Sequence, residues 1–243
     1  TGDDEIHGVW GSRTDDVWAV TGLGRILHWD GSAWSLSPSG VGNFLYDVWG
    51  TSAQNVWAIG DTGTILHWDG SNWSSVASGS TADLYGIGGT GPTDVWVTGN
   101  LGEILHWNGS SWTSFPSGTV SRLNGVWSAS TTDAWVVGFN GTILHWNGTA
   151  WSSAATAVDH LYGVWGSSPT DVWAVGVVGI VLHWDGSSWV DAALGVGYDF
   201  LDTWGTRSGD VWAVGDFAAL YRWNGTAWAN MTEAPNEGLF AIW

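Results

Sequence analysis

The chain has 243 residues, 44% of them hydrophobic, with 24 Trp and 37 Gly; bulky rings packed between glycine-permitted turns exclude a disordered, purely solvated polymer. Twenty-three Asp and Glu stand against five Arg and no Lys, and the formal charge of −18 repels phosphate backbones and anionic lipid, which argues against nucleic acid and membrane insertion while leaving cationic ligands, metal ions and neutral sugars. There is no Cys, so disulfides and thiolate chemistry are excluded, and no apolar run approaches a membrane span or a signal-peptide core.

Taken in chain order, every Trp falls into one of four registers of a 39-residue repeat. The first copy carries Trp10, Trp18, Trp29 and Trp34, and the second Trp49, Trp57, Trp68 and Trp73. The third has Gly88 where its first ring belongs, followed by Trp96, Trp107 and Trp112. The remaining copies carry Trp127, Trp135, Trp146 and Trp151, then Trp165, Trp173, Trp184 and Trp189, then Trp204, Trp212, Trp223 and Trp228. Steps between registers are 8, 11, 5 and 15 residues; only Trp151 to Trp165 is one shorter, which marks that step as a loop. Trp243 returns to the first register, so Leu239 to Trp243 is an extra first strand. The opening residue, Thr1, points to a processed or excised chain.

Each copy reads as four short strands, clearest in the fifth: Leu161 to Gly166, Asp171 to Gly176, Ile180 to Trp184 and Ser187 to Val190. They are rich in Val, Ile, Leu and Trp, bounded by Gly, Ser, Pro and Asp, and too short for helices. Third and fourth strands are joined by Asp30-Gly31, Asp69-Gly70, Asn108-Gly109, Asn147-Gly148, Asp185-Gly186 and Asn224-Gly225, pairs that accept positive φ in a tight hairpin. The longest link, from a fourth strand to the next first strand, spans a blade from its outer edge to the inner edge of its neighbour. The predicted fold is therefore all-β: a six-bladed β-propeller of four-stranded antiparallel blades, one domain over residues 1–243.

Strand direction places all four rings of a copy toward one face of the disc. The first three registers read as interblade core. The fourth, on the outermost strand, divides evenly between core and a platform open to ligand. Asp16, Asn55, Asp94, Asp133, Asp171 and Asp210 precede the second-register Trp by two residues, where a short polar side chain bonds turn amides. His28, His67, His106, His145 and His183, with Arg222 in the sixth copy, read as interblade hydrogen-bonding residues. Rotation about an axis separates them too widely to share a metal, and no metal or cofactor is expected. Six Asn-x-Ser/Thr triplets begin at Asn72, Asn108, Asn140, Asn147, Asn224 and Asn230, three of them already explained as hairpins.

The run Leu84-Tyr85-Gly86 through Asp94-Val95-Trp96 to Ile104-Leu105-His106-Trp107-Asn108-Gly109 and Trp112 resembles a tectonin-type repeat, and the likeness covers nearly the whole chain. It implies a six-bladed lectin recognising surface glycans, methylated sugars among them. The Trp184-Asp185-Gly186-Ser187-Ser188-Trp189 stretch is more weakly similar to BNR or Asp-box propellers. Sialidases of that group need an arginine cluster, whereas Arg13, Arg25, Arg122, Arg207 and Arg222 are scattered, so no enzyme is expected. The leading functional expectation is a multivalent, secreted or cell-surface carbohydrate-binding protein. Its six sites pair a hairpin acid or amide with a fourth-register ring: Asp30 with Trp34, Asp69 with Trp73, Asn108 with Trp112, Asn147 with Trp151, Asp185 with Trp189 and Asn224 with Trp228. The alternative is a protein-binding scaffold or adhesion propeller, part of a larger protein, that uses the opposite face. There the loops differ most among copies: Leu36 to Phe44, Val76 to Asp83, Pro116 to Arg122 and Asp191 to Phe200.

Overall fold

In the computed structural model, residues 5–157, 159–192, 194–232 and 238–243 are described; Thr1 and, within the 191–200 loop, Ala193 lie outside them. The strands assemble into six four-stranded antiparallel sheets, each in simple sequence order from the inner to the outer edge. Blade one comprises Ile6–Arg13, Asp16–Thr21, Ile26–Trp29 and Trp34–Ser37. The inner strands of the other five are Leu45–Ser52, Leu84–Gly91, Leu123–Ser130, Leu161–Ser168 and Phe200–Arg207.

The repeat explains why each sheet forms. First- and second-register rings sit opposite one another across the inner hairpin (Trp10 with Trp18, Trp49 with Trp57), and third- and fourth-register rings do so across the outer one (Trp68 with Trp73). Four rings are thereby gathered at one end of every blade, with Gly88 opposite Trp96 as the exception. Five apolar seams then join consecutive blades. The second-register ring of one blade, 1–2% exposed in blades one to five, lies against the third- and fourth-register rings of the next. Trp57, for example, has its centroid 5.2 Å from Trp107 and 5.5 Å from Trp112, the latter at 88°. An aromatic pair in this edge-on geometry adds about 0.5–1.5 kcal/mol to what the buried area contributes.

Inner strands extend two residues past the expected end, Leu161–Ser168 rather than to Gly166, and register shifts near both ends increase their twist. The third and fourth strands of that blade begin later than expected, at Val181 and Trp189. One-turn 3-10 segments, which the pattern does not announce, join second to third strands at Asp61–Gly63, Asn100–Gly102, Phe139–Gly141, Val177–Gly179 and Asp216–Ala218. Each holds two successive left-handed residues, as in Thr62 and Gly63. Gly63 is required because a Cβ there would come within 2.0 Å of the Ser80 carbonyl oxygen.

The second-strand acids do more than serve turn amides: Asp94 takes a backbone hydrogen bond from Thr90, and its other bonds are to side chains. Asp94 accepts from Thr90 at 2.5 Å and pairs with His106 at 2.7 Å, and the His106 ring lies 4.1 Å from Trp96 in the same blade. The arrangement recurs in Asp16 with His28, Asp133 with His145 and Asp171 with His183, while Arg222 donates to Asp210 at 2.8 Å. The histidines are thus within-blade partners that tie second strand to third, not interblade ones.

Candidate functional site

The two faces of the disc differ in kind. On the ring-bearing face, the hairpin residues hold their own turns: Asp30 accepts from the amides of Ser32 and Ala33 and from the Ser32 hydroxyl, at 2.6–2.9 Å. Asp69, Asn108, Asn147, Asp185 and Asn224 repeat the pattern. Hydrogen bonds from Ser32 and Ser187, with the turn amides, hold Asp30 and Asp185 down at about 2, so both stay ionised. The fourth-register rings are unequal. Trp34 is 47% exposed, Trp73, Trp112, Trp189 and Trp228 are partly covered, and Trp151 is buried. Apart from Trp34, their indole N–H groups are buried without an acceptor, which turns the polar edge inward and leaves the ring edges and faces as the accessible part.

The opposite face is built from the second-to-third-strand turns and the long links. At corresponding turn tips stand Leu23, Thr62, Leu101, Asn140, Val178 and Phe217, and the last five all have φ between +52° and +57°. Leu23, Leu101, Val178 and Phe217 are 55–78% exposed, and Val120 on the adjacent link is 83% exposed.

Inside the tips lies an aromatic arc around the mouth of the central channel. Phe240 is 5.6 Å from His7, His7 is 4.6 Å from Phe44, Phe44 is 4.6 Å from Tyr46, and Tyr46 is 4.5 Å from Tyr85. The Arg122 guanidinium sits 3.5 Å over Tyr85, and Phe139 stacks on His160 at 4.2 Å. Acids are woven through the arc. Asp83 accepts from the Thr62 amide and from Asn100, whose amide also donates to the Tyr85 hydroxyl. Burial and neighbouring Asp61 push the Tyr46 phenol above its ordinary range.

The channel behind this mouth is a cavity of about 330 Å³ walled by the inner strands, with Asp47, Asn124 and Asp202 as its polar groups at depth. Gly8, Gly86, Gly125 and Gly163 hold the place of Asp47 and Asp202 in the other four blades, where a Cβ would press on the neighbouring strand; at Gly86 it would lie 2.4 Å from the Asn124 carbonyl oxygen. Asp47 caps the amides of Val48 and Ile87, and Asp202 those of Thr203 and Ile242. Enclosure by the protein raises both carboxyls, Asp47 to about 8, with Asp202 adding to the rise, and Asp202 to about 7.

The face is the one the sequence offered for a protein partner, and Phe44, Asp83 and Arg122 close three of the links named for it, whereas His7, Tyr46, Phe139 and His160 were not singled out. Its inner-strand members His7, Tyr46, Tyr85 and Phe240 occupy the position three before the first register, which reads His7, Tyr46, Tyr85, Asn124, Tyr162, Leu201 and Phe240. Large polar rings on an inner strand were the available signal. Among the described residues no cluster of His, Asp or Glu has metal-binding geometry.

No family model matches the chain, and no curated protein matches it in sequence. Solved structures do. A chain described as YCF48 bound to D1 peptide superposes with a TM-score of 0.73 at 17% identity, covering 91% of this chain and 77% of its own. The WD40 β-propeller domain of Doa1 gives 0.83 at 13% identity, covering 98% and 86%. A chain of a mitotic checkpoint complex gives 0.79 at 11%, covering 98% and 81%. At these identities the likeness is one of fold: a β-propeller with WD40-like neighbours.

Proposed function

We propose that this chain is a non-enzymatic binding propeller that takes a basic segment of a protein partner across its loop face and the mouth of its channel. The observation that carries the reading is the chemistry of the turn tips. A left-handed backbone costs a residue bearing a Cβ about 1–2 kcal/mol, and an apolar side chain held in water gains nothing in return. Leu101, Val178 and Phe217 meet both conditions on one face, so folding does not account for them and contact with a partner does. The acids threaded through the aromatic arc, on a chain of charge −18, favour a Lys- or Arg-bearing segment, as the seat of Arg122 on Tyr85 illustrates. Structural neighbours described with a bound peptide or within a protein complex support a protein partner over a small ligand.

Affinity capture from the source organism, with the wild-type chain and with L101N/V178N/F217N as baits, tests the proposal. A protein recovered only by the wild type should, once purified, bind it one to one and lose at least tenfold in affinity toward the variant, on the scale of a lost apolar anchor. Equal binding to both baits ends the reading.

A second reading, glycan recognition at the hairpin edges as the tectonin resemblance implies, is supported by the half-open Trp34 ring beside ionised Asp30. A glycan array that reports binding abolished by W34A but kept in the triple variant would put this reading first.

A further inference from the structure

Residues 238–243 do not join any of the six sheets, yet three of their contacts copy those of an inner strand. Asp202 accepts the Ile242 amide at 2.9 Å, as Asp47 accepts that of Ile87, and both pairs span 40 residues. The Trp243 ring lies over Gly11, where a Cβ would meet it at 2.7 Å, just as Trp10 lies over Gly50, Trp127 over Gly166 and Trp165 over Gly205. Phe240 meets His7 in the arc as Tyr46 meets Tyr85. Six inner strands and this segment therefore surround the channel, and only the six strands carry blades.

The vacant sector shows in the burial of its walls. Four residues before the first-register Trp, Leu45, Leu84, Leu123, Leu161 and Phe200 are all 0% exposed, whereas Ile6 is 42% and Leu239 38% exposed. Val17 of blade one is partly exposed although Val56, Val95 and Val172 at its position are fully buried. On the blade-six side, Trp212 and Leu220 are partly open, against 0–2% for their counterparts. Trp34 is the one fourth-register ring with no second-register Trp laid across it among the described residues.

We propose that this wedge seats a seventh blade, with residues 239–243 as its innermost strand and its remainder a three-stranded antiparallel sheet of the same Trp repeat. Such a sheet brings a second-register ring onto Trp34, as Trp18 lies 5.3 Å from Trp73, and third- and fourth-register rings onto Trp212. Its own second strand completes the ladder of 239–243 by β-addition. A second copy of the chain is a poor occupant: it presents the same strongly negative surface, and the strands of its six blades are already paired. The matched propellers also extend beyond this chain, which covers 77–86% of them.

The probe is a synthetic peptide of residues 171–191, the second to fourth strands of blade five, added to the 243-residue chain. One-to-one binding should slow amide exchange at residues 240, 241 and 243 by about tenfold or more, and I6K on the wedge wall should abolish that protection. Should the free peptide aggregate, the chain is extended after Trp243 by its own residues 205–230, and the same amides should be protected with a raised Tm. Two outcomes overturn the proposal: no protection of 239–243 in either format, or a wild-type dimer that I6K dissolves and the peptide does not displace.

Discussion

At the scale of single residues, backbone conformation separates what the fold needs from what it tolerates. Gly63 is needed, since its Cβ has no room, but Val178 at φ +52° is tolerated, with a branched side chain 63% exposed and a neighbouring Gly179 that completes the turn. Asn favours the left-handed region because its short amide bonds local backbone. V178N should accordingly stabilise the protein by about 1 kcal/mol, and L101N and F217N should each act in the same direction, in urea unfolding of the chain alone. The triple variant then loses its partner while gaining stability, which no damage to the fold could imitate. A variant that unfolds earlier than wild type would show that the tips pack for stability and would remove the argument for a docking face.

At the scale of the blade, the natural substitution Asn55 tests what the Asp and His pair contributes. His67 meets the Asn55 carbonyl oxygen at 3.1 Å where four other blades offer a carboxylate, and burial pushes the His67 imidazole below its ordinary value. N55D should raise the His67 pKa by about one unit or more, read from the ring protons by NMR, because a carboxylate favours the imidazolium. The variant's folded pKa then lies above the wild type's. Relative to wild type the added stability, about 0.5–1.5 kcal/mol, is fully present below the wild type's lowered folded value and is lost as pH rises through the variant's folded value. An unchanged titration would mean that the pair does not form in blade two. This pair was half legible in sequence: the 12-residue spacing fixes second and third strands side by side, but only coordinates show that the acid also bonds the histidine of the next strand. The outer hairpins were legible because Asp-Gly and Asn-Gly announce positive φ. Of the opposite turns only Asn140-Gly141 does so, and Leu101-Gly102 or Val178-Gly179 put an apolar residue where propensity forbids it. The loop face was legible as the one whose links differ most among copies, but its turn tips were not, and the inner-strand part of the arc was masked because the position from His7 to Phe240 does not keep one residue type.

For the molecule as a whole, Trp spacing gave the blade and its copy number, while the circumference depends on how closely inner strands approach. Contacts such as Trp243 over Gly11 and Asp202 on Ile242 set that spacing, and no periodicity encodes them. The resulting channel holds two carboxyls from blades two and six, and their titration is a property of the closed ring. His7 and Tyr162 are the other ionisable side chains on the described wall. Asp47 and Asp202 titrate near 8 and 7 when folded but near 3.9 when the chain is unfolded, so between those limits the folded state holds more protons. Stability from this source is complete below about pH 4, declines as pH rises through 7 and 8, and is gone beyond. Both residues are only partly covered, so solvent screening brings the loss over the window to about 1–2 kcal/mol rather than the larger figure a dry site would give. Thermal unfolding followed from pH 5 to 9 should show Tm falling and then levelling above about 8, with a visibly shallower fall in D47N/D202N. The amides lose one of two acceptors each, so the variant should start lower at pH 5 and converge on the wild type at pH 9. Parallel curves would assign the fall to the general negative surface and leave the channel carboxyls ionised throughout.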